Sequence, residues 1–149
     1  MNPINKTNQT NQQTILVAVS DVFFYTKIRD ALLSKGYRLD RARTQSEVSE
    51  KAAAVHPAAM ILNMNDATLD AFQAIEQIKG HDRLKAIPIL AFANHEEVET
   101  WRRAKQLGVT KIVSRNEFSS RTRDLVEEVI SSHQTLLTPP SPPEGERRR

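Results

Sequence analysis

The chain has no cysteine among its 149 residues and only four glycines. The first absence excludes disulfides, thiolate-zinc sites and cysteine nucleophiles together. The second leaves no glycine-rich loop to cradle a phosphate, because Gly36, Gly80, Gly108 and Gly145 stand far apart. No apolar run approaches the roughly 20 residues of a membrane span, and no basic-then-apolar leader opens the sequence, so a cytoplasmic protein is expected. An excess of one charge sign is lacking too: the formal net charge is only +3, and the chain ends in three arginines, so a basic nucleic-acid surface is disfavoured. The four histidines, His56, His81, His95 and His133, fall in no metal-ligand spacing. Ser20, Ser114 and Ser119 have no evident histidine partner, so no hydrolase can be assembled and no enzymatic activity is expected.

What remains is patterned. Residues 1–13 are polar and rich in Asn, Gln and Thr, with too few apolar anchors to offset the cost of ordering, and read as a disordered leader. Residues 138–149, TPPSPPEGERRR, read as a disordered Pro/Arg-rich tail. Between them, residues 14–137 alternate short β-type apolar runs with longer segments of helical period, the signature of a parallel sheet with crossover helices. The predicted strands are Thr14–Val19, Tyr37–Ala42, Ala59–Leu62, Ile87–Phe92 and Lys111–Val113. Pro88 sits at a strand start, where its missing N–H is tolerated.

Helix ends are marked as well. Asp21 caps a first helix whose Phe24, Ile28, Ala31 and Leu32 share one face, and Gly36 stops it. Thr44-Gln-Ser-Glu47 reads as a capping box before Val48, Ala52 and Val55, ending at His56-Pro57. Asp66 or Thr68 is expected to open a third helix carrying Phe72, Ile75 and Ile78, as a first-turn acid or cap. Asn94-His-Glu-Glu97 reads as a second box, before Val98, Trp101 and Leu107, with Gly108 as the stop. A fifth helix follows Ser119 or Ser120 and buries Leu125, Val129 and Ile130. The fold class is therefore α/β, a (βα)5 doubly wound parallel sheet of five strands. Any ligand site is expected outside the carboxyl ends of the strands.

The residues at those ends carry a resemblance. Ile15-Leu-Val-Ala-Val-Ser-Asp21, His56-Pro-Ala-Ala-Met-Ile-Leu-Asn63, Ile87-Pro-Ile-Leu-Ala-Phe-Ala93 and Gly108-Val-Thr-Lys-Ile-Val-Ser-Arg115 together resemble the receiver domain of two-component response regulators, the flavodoxin-like, CheY-like fold. The intervals from Asn63 to Ala93 and from Ala93 to Arg115 match the family's spacing between acceptor, switch hydroxyl and lysine. The resemblance implies a phosphoryl acceptor aspartate where this chain has Asn63, whose neutral amide oxygen is a poor nucleophile. It implies an acidic pair for magnesium where Val19 and Ser20 stand, leaving only Asp21, as a helix cap or weak ligand. The switch hydroxyl is replaced by Ala93, the inward-turning aromatic by Ile112 and the lysine by Arg115, which either contacts an anion or is simply solvated.

The expected reading is a pseudo-receiver with a degenerate phosphorylation pocket (Val19, Ser20, Asp21, Asn63, Ala93 and Arg115), no cofactor, and magnesium binding lost. It would act in signal transduction by phosphorylation-independent protein–protein interaction with a histidine kinase, another receiver or an effector. Candidate interface residues are Phe23, Tyr25, Trp101, Arg102, Arg103 and Ile112, with core packing as the alternative for Trp101. Two other readings stand beside it: a conventional phosphorelay receiver with an unrecognised acceptor, Asp66 or Asp70, and a basic nucleic-acid-binding accessory protein.

Overall fold

Five consecutive aliphatic side chains, Ile15 to Val19, are fully buried, which requires cover on both faces of the strand that carries them. Leu16 and Ala18 enter one apolar layer and Ile15, Val17 and Val19 the other. The computed structural model describes residues 13–137. Most of the expected leader and all of the expected tail lie outside the described residues.

The strands are β1 (Thr14–Ala18), β2 (Arg38–Arg41), β3 (Ala59–Asn63), β4 (Ile89–Ala93) and β5 (Lys111–Ser114). They form one parallel sheet in the order β2-β1-β3-β4-β5. The connection order reverses between β1 and β3, so the crevice at their carboxyl ends is the natural site position. Helices α1 (Val22–Leu33), α2 (Gln45–Val55), α3 (Ala71–Lys79), α4 (Val98–Leu107), α5 (Arg115–Ser120) and α6 (Thr122–Leu137) connect and follow the strands. Side chains of α1, α5 and α6 pack on one face of the sheet, and those of α2, α3 and α4 on the other.

The expected class and all five strands are present, each within about two residues of its predicted limits. The helix ends are more instructive. Asp21 caps α1, accepting the N–H groups of Phe23 at 2.9 Å and Phe24 at 3.2 Å. Thr44 caps α2, while Glu47 reaches back to the Arg43 N–H at 2.8 Å. His56 closes α2 at φ 47°, a left-handed turn that allows the chain to continue through Pro57 into β3.

Three expectations are corrected. The cap of α3 is Asp70, which accepts the Gln73 N–H at 3.1 Å, rather than Asp66 or Thr68, because Asp66 is held elsewhere. Asn94 does not cap α4: that helix begins after Glu97 without a side-chain cap, and Val98 is 69% exposed rather than on the buried stripe. A short helix, α5, precedes α6 and is capped by the Ser114 hydroxyl, which accepts the Glu117 N–H at 3.0 Å. Its purpose is visible in packing: it delivers Phe118 to the core, where the ring stacks on Phe92 at 4.5 Å between centroids, with Phe24 at 5.0 Å from Phe92.

Phe92→Ala or Phe118→Ala removes a fully buried ring from this stack and is expected to cost about 3–5 kcal/mol in urea denaturation. Phe23→Ala, at a position 81% exposed, is expected to change stability by no more than about 0.5 kcal/mol.

Candidate functional site

The loops after β1, β3, β4 and β5 lie at the carboxyl end of the parallel sheet, and polar side chains join the first three of them. After β1, the Ser20 N–H donates to Asp66 Oδ2 at 2.8 Å and its hydroxyl donates to Asp66 Oδ1 at 2.7 Å. Asp66 Oδ1 also accepts the N–H groups of Thr68 at 2.9 Å and Leu69 at 3.0 Å. Burial pushes the Asp66 carboxyl up, but the hydrogen bonds from Ser20, Leu69 and Thr68 outweigh it and hold the group below its ordinary value. Asp66 is thus a stably ionised clasp between the β1 and β3 loops, not a first-turn acid of α3. A carboxylate stabilised by four donors is a poor nucleophile.

Arg41, at the end of β2, joins the same corner. Its Nη2 donates to the Ser20 carbonyl at 2.8 Å and its Nε to the Val19 carbonyl at 3.3 Å, while its guanidinium lies 4.7 Å from the Tyr25 ring centroid. Tyr25 is therefore half-buried beneath an arginine rather than open to a partner.

Asn63 is only 4% exposed, and its Oδ1 accepts the Asn65 N–H at 2.9 Å. Asn65 extends the network to the β4 loop in two directions. Its Oδ1 accepts the Asn94 N–H at 2.9 Å, and its Nδ2 donates to Glu97 Oε1 at 2.8 Å. Glu97 also accepts from Asn94 Nδ2 at 3.3 Å and from the Thr100 hydroxyl at 3.2 Å. Hydrogen bonds from Asn65 and Asn94, aided by Thr100, hold the Glu97 carboxyl below its ordinary value against burial.

The remaining sequence-chosen residues divide. Val19 and Ala93 are buried and apolar. Arg115 lies over Phe24, 4.6 Å from the ring centroid, and 5.8 Å from that of Phe92. Ile112 is 7% exposed and belongs to the core, so it offers nothing to a partner. Trp101 is half-buried against the core, and its indole N–H donates to the Asn94 carbonyl at 2.9 Å, which makes it an anchor of the β4 loop. Arg102 pairs with Glu99 on the exposed side of α4, Arg103 lies 4.1 Å from the Phe72 ring centroid, and Phe23 projects into solvent. Sequence reasoning missed Arg41, Asn65 and the bridging role of Glu97. The Asn94–Glu97 spacing signalled a local pairing correctly, but its principal partner comes from another loop.

No protein-family model and no curated protein matches the chain. Among solved structures it is similar to the signal receiver domain of a response regulator from Bermanella marisrubri, at 17% identity and a TM-score of 0.72, covering 80% of this chain and 98% of that one. It is also similar to the receiver domain of a signal-transduction histidine kinase from Syntrophus aciditrophicus, at 16% identity and a TM-score of 0.72, covering 80% and 91%. A third is the receiver domain of a sensor histidine kinase from Pseudomonas aeruginosa, solved with magnesium coordinated in its active-site cleft, at 18% identity and a TM-score of 0.71, covering 80% and 98%. These likenesses establish the receiver fold.

The residues at the corresponding cleft do not fit a divalent cation. The Val19 side chain supplies only carbon and its carbonyl is taken by Arg41, Ser20 is bound to Asp66, Asp21 is turned to its own helix, and Asn63 is a neutral amide. Among the described residues no group of three or more acidic, His or Cys side chains could hold a metal ion.

Asp66 contributes stability while ionised, because its native pKa lies below the ordinary 3.8. That contribution is full above the ordinary value and is lost as pH falls through the lowered native one. Asp66→Asn is expected to lower the urea midpoint at pH 7 and to flatten the loss of stability of the wild type below about pH 4.

Proposed function

We propose that the chain is a receiver-like module of two-component signalling that docks protein partners without being phosphorylated. The observation that carries this reading is the state of the carboxylates at the cleft: the acceptor position holds Asn63, and the nearest alternative, Asp66, is taken up by four hydrogen bonds. Asp70 is engaged by a single bond, as the cap of α3. Phosphoryl transfer to a receiver needs an anionic oxygen free to attack and a cation to draw charge from the phosphoryl group. Neither requirement is met by the side chains at the strand ends.

The module then works by presenting a surface rather than by catalysis. Its partners are proteins of the same signalling system: a histidine kinase, another receiver or an effector. The exposed side of α4, with Arg102 and Arg103, and the projecting Phe23 are the parts of the expected interface that are exposed. Among the described residues no helix is long and apolar enough to cross a membrane, and a cytoplasmic site of action is part of the proposal.

The test is to incubate the full chain with acetyl phosphate and magnesium and weigh it intact. An unchanged mass is expected, and a gain of one phosphoryl mass would overturn the reading in favour of a conventional phosphorelay receiver. Asn63→Asp is expected to remain unmodified as well, since Val19 and Ser20 still supply no acidic pair. Uptake by that variant would mean that only one side chain separates this cleft from a working one.

A further inference from the structure

We infer that Glu97 and Asn65 form a permanent tie between the β3 and β4 loops, fixing the start of α4 and the surface it presents in a single arrangement. The inference rests on the phosphorylation-independent reading above and supplies its positioning residues. The atoms that bridge these two loops belong to the chain itself. Asn65 spans the gap twice, accepting the Asn94 N–H through Oδ1 and donating through Nδ2 to Glu97. The two bridges use different atoms of one side chain, so breaking one leaves the other in place.

The tie continues into the helix. Glu97 accepts from Thr100 in the first turn, and its backbone carbonyl accepts the Trp101 N–H at 3.2 Å. The Trp101 indole returns to the Asn94 carbonyl while its ring packs on the core. Asn94, Glu97 and Trp101 thereby close a loop of contacts around the entry to α4, and Asn65 binds that loop to β3. Glu99 and Arg102 lie on the exposed side of this anchored turn. Their position is set by side chains within the fold.

Amide hydrogen exchange of the full chain, read by mass spectrometry, tests the tie. Glu97→Ala and Asn65→Ala are each expected to speed exchange across residues 94–101 by about tenfold or more while β1 and β3 exchange at wild-type rates. Glu97→Gln keeps one acceptor and is expected to fall between. Glu99→Ala removes a neighbouring carboxylate outside the tie and is expected to leave residues 94–101 unchanged. Wild-type exchange there in Glu97→Ala or in Asn65→Ala, with far-UV circular dichroism intact, would overturn the tie. Phosphoryl uptake by the wild type would instead defeat the functional reading and leave the exchange result standing.

Discussion

Carboxylates gathered at the carboxyl ends of parallel strands repel one another unless a cation or enough hydrogen-bond donors take up their charge. In this molecule donors from the chain perform that task. Asp66 accepts from Ser20 twice and from two backbone N–H groups, and Glu97 accepts from Asn65, Asn94 and Thr100. The positions of the loops follow from these requirements. The β1 loop is drawn to the β3 loop through Ser20, and the β3 loop to the β4 loop through Asn65. Hydrogen bonds to charged groups shielded from water contribute roughly 1.5–3 kcal/mol each, and those to Asp66, which is partly open to water, contribute less.

The cations complete the arrangement by being directed elsewhere. Arg41 binds backbone carbonyls at the end of β1 and stacks on Tyr25, and Arg115 stacks on Phe24 above the Phe24–Phe92–Phe118 cluster. Guanidinium suits both places because it is weakly hydrated and planar, whereas an ammonium group would sit poorly on a ring. Arg115 therefore belongs with the aromatic core, as part of its packing. The short helix α5 serves the same cluster, since Phe118 reaches the stack from it.

Much of this was readable in the sequence, and the division has a physical basis. Strands declared themselves because a sheet covered on both faces demands unbroken apolar runs, as in Ile15 to Val19. The caps at Asp21 and Thr44 were readable because a cap and its acceptor lie within three residues. Asp66 was misplaced because the same residue type that caps a helix also bonds any other donor, and its decisive partner, Ser20, is 46 residues away. Glu97 was assigned to Asn94 for the same reason: local spacing showed one partner and hid Asn65. Ile112 is expected at an interface from the resemblance alone, whereas its place in β5 buries it. Replacements at the cleft could be read position by position, but the new contacts among the replacements required the fold.

On the proposed reading, the loops at this end of the sheet are held together by side chains, Ser20 with Asp66 and Asn65 with Asn94 and Glu97, and take up no divalent ion. Titration of the 15N-labelled full chain with magnesium, followed through the amide resonances of Ser20, Asn63, Asn65 and Asp66, tests it most directly. Resonances that stay in place up to millimolar magnesium, beyond the uniform drift of a salt control, are the expected result. Saturable shifts confined to those residues would contradict it.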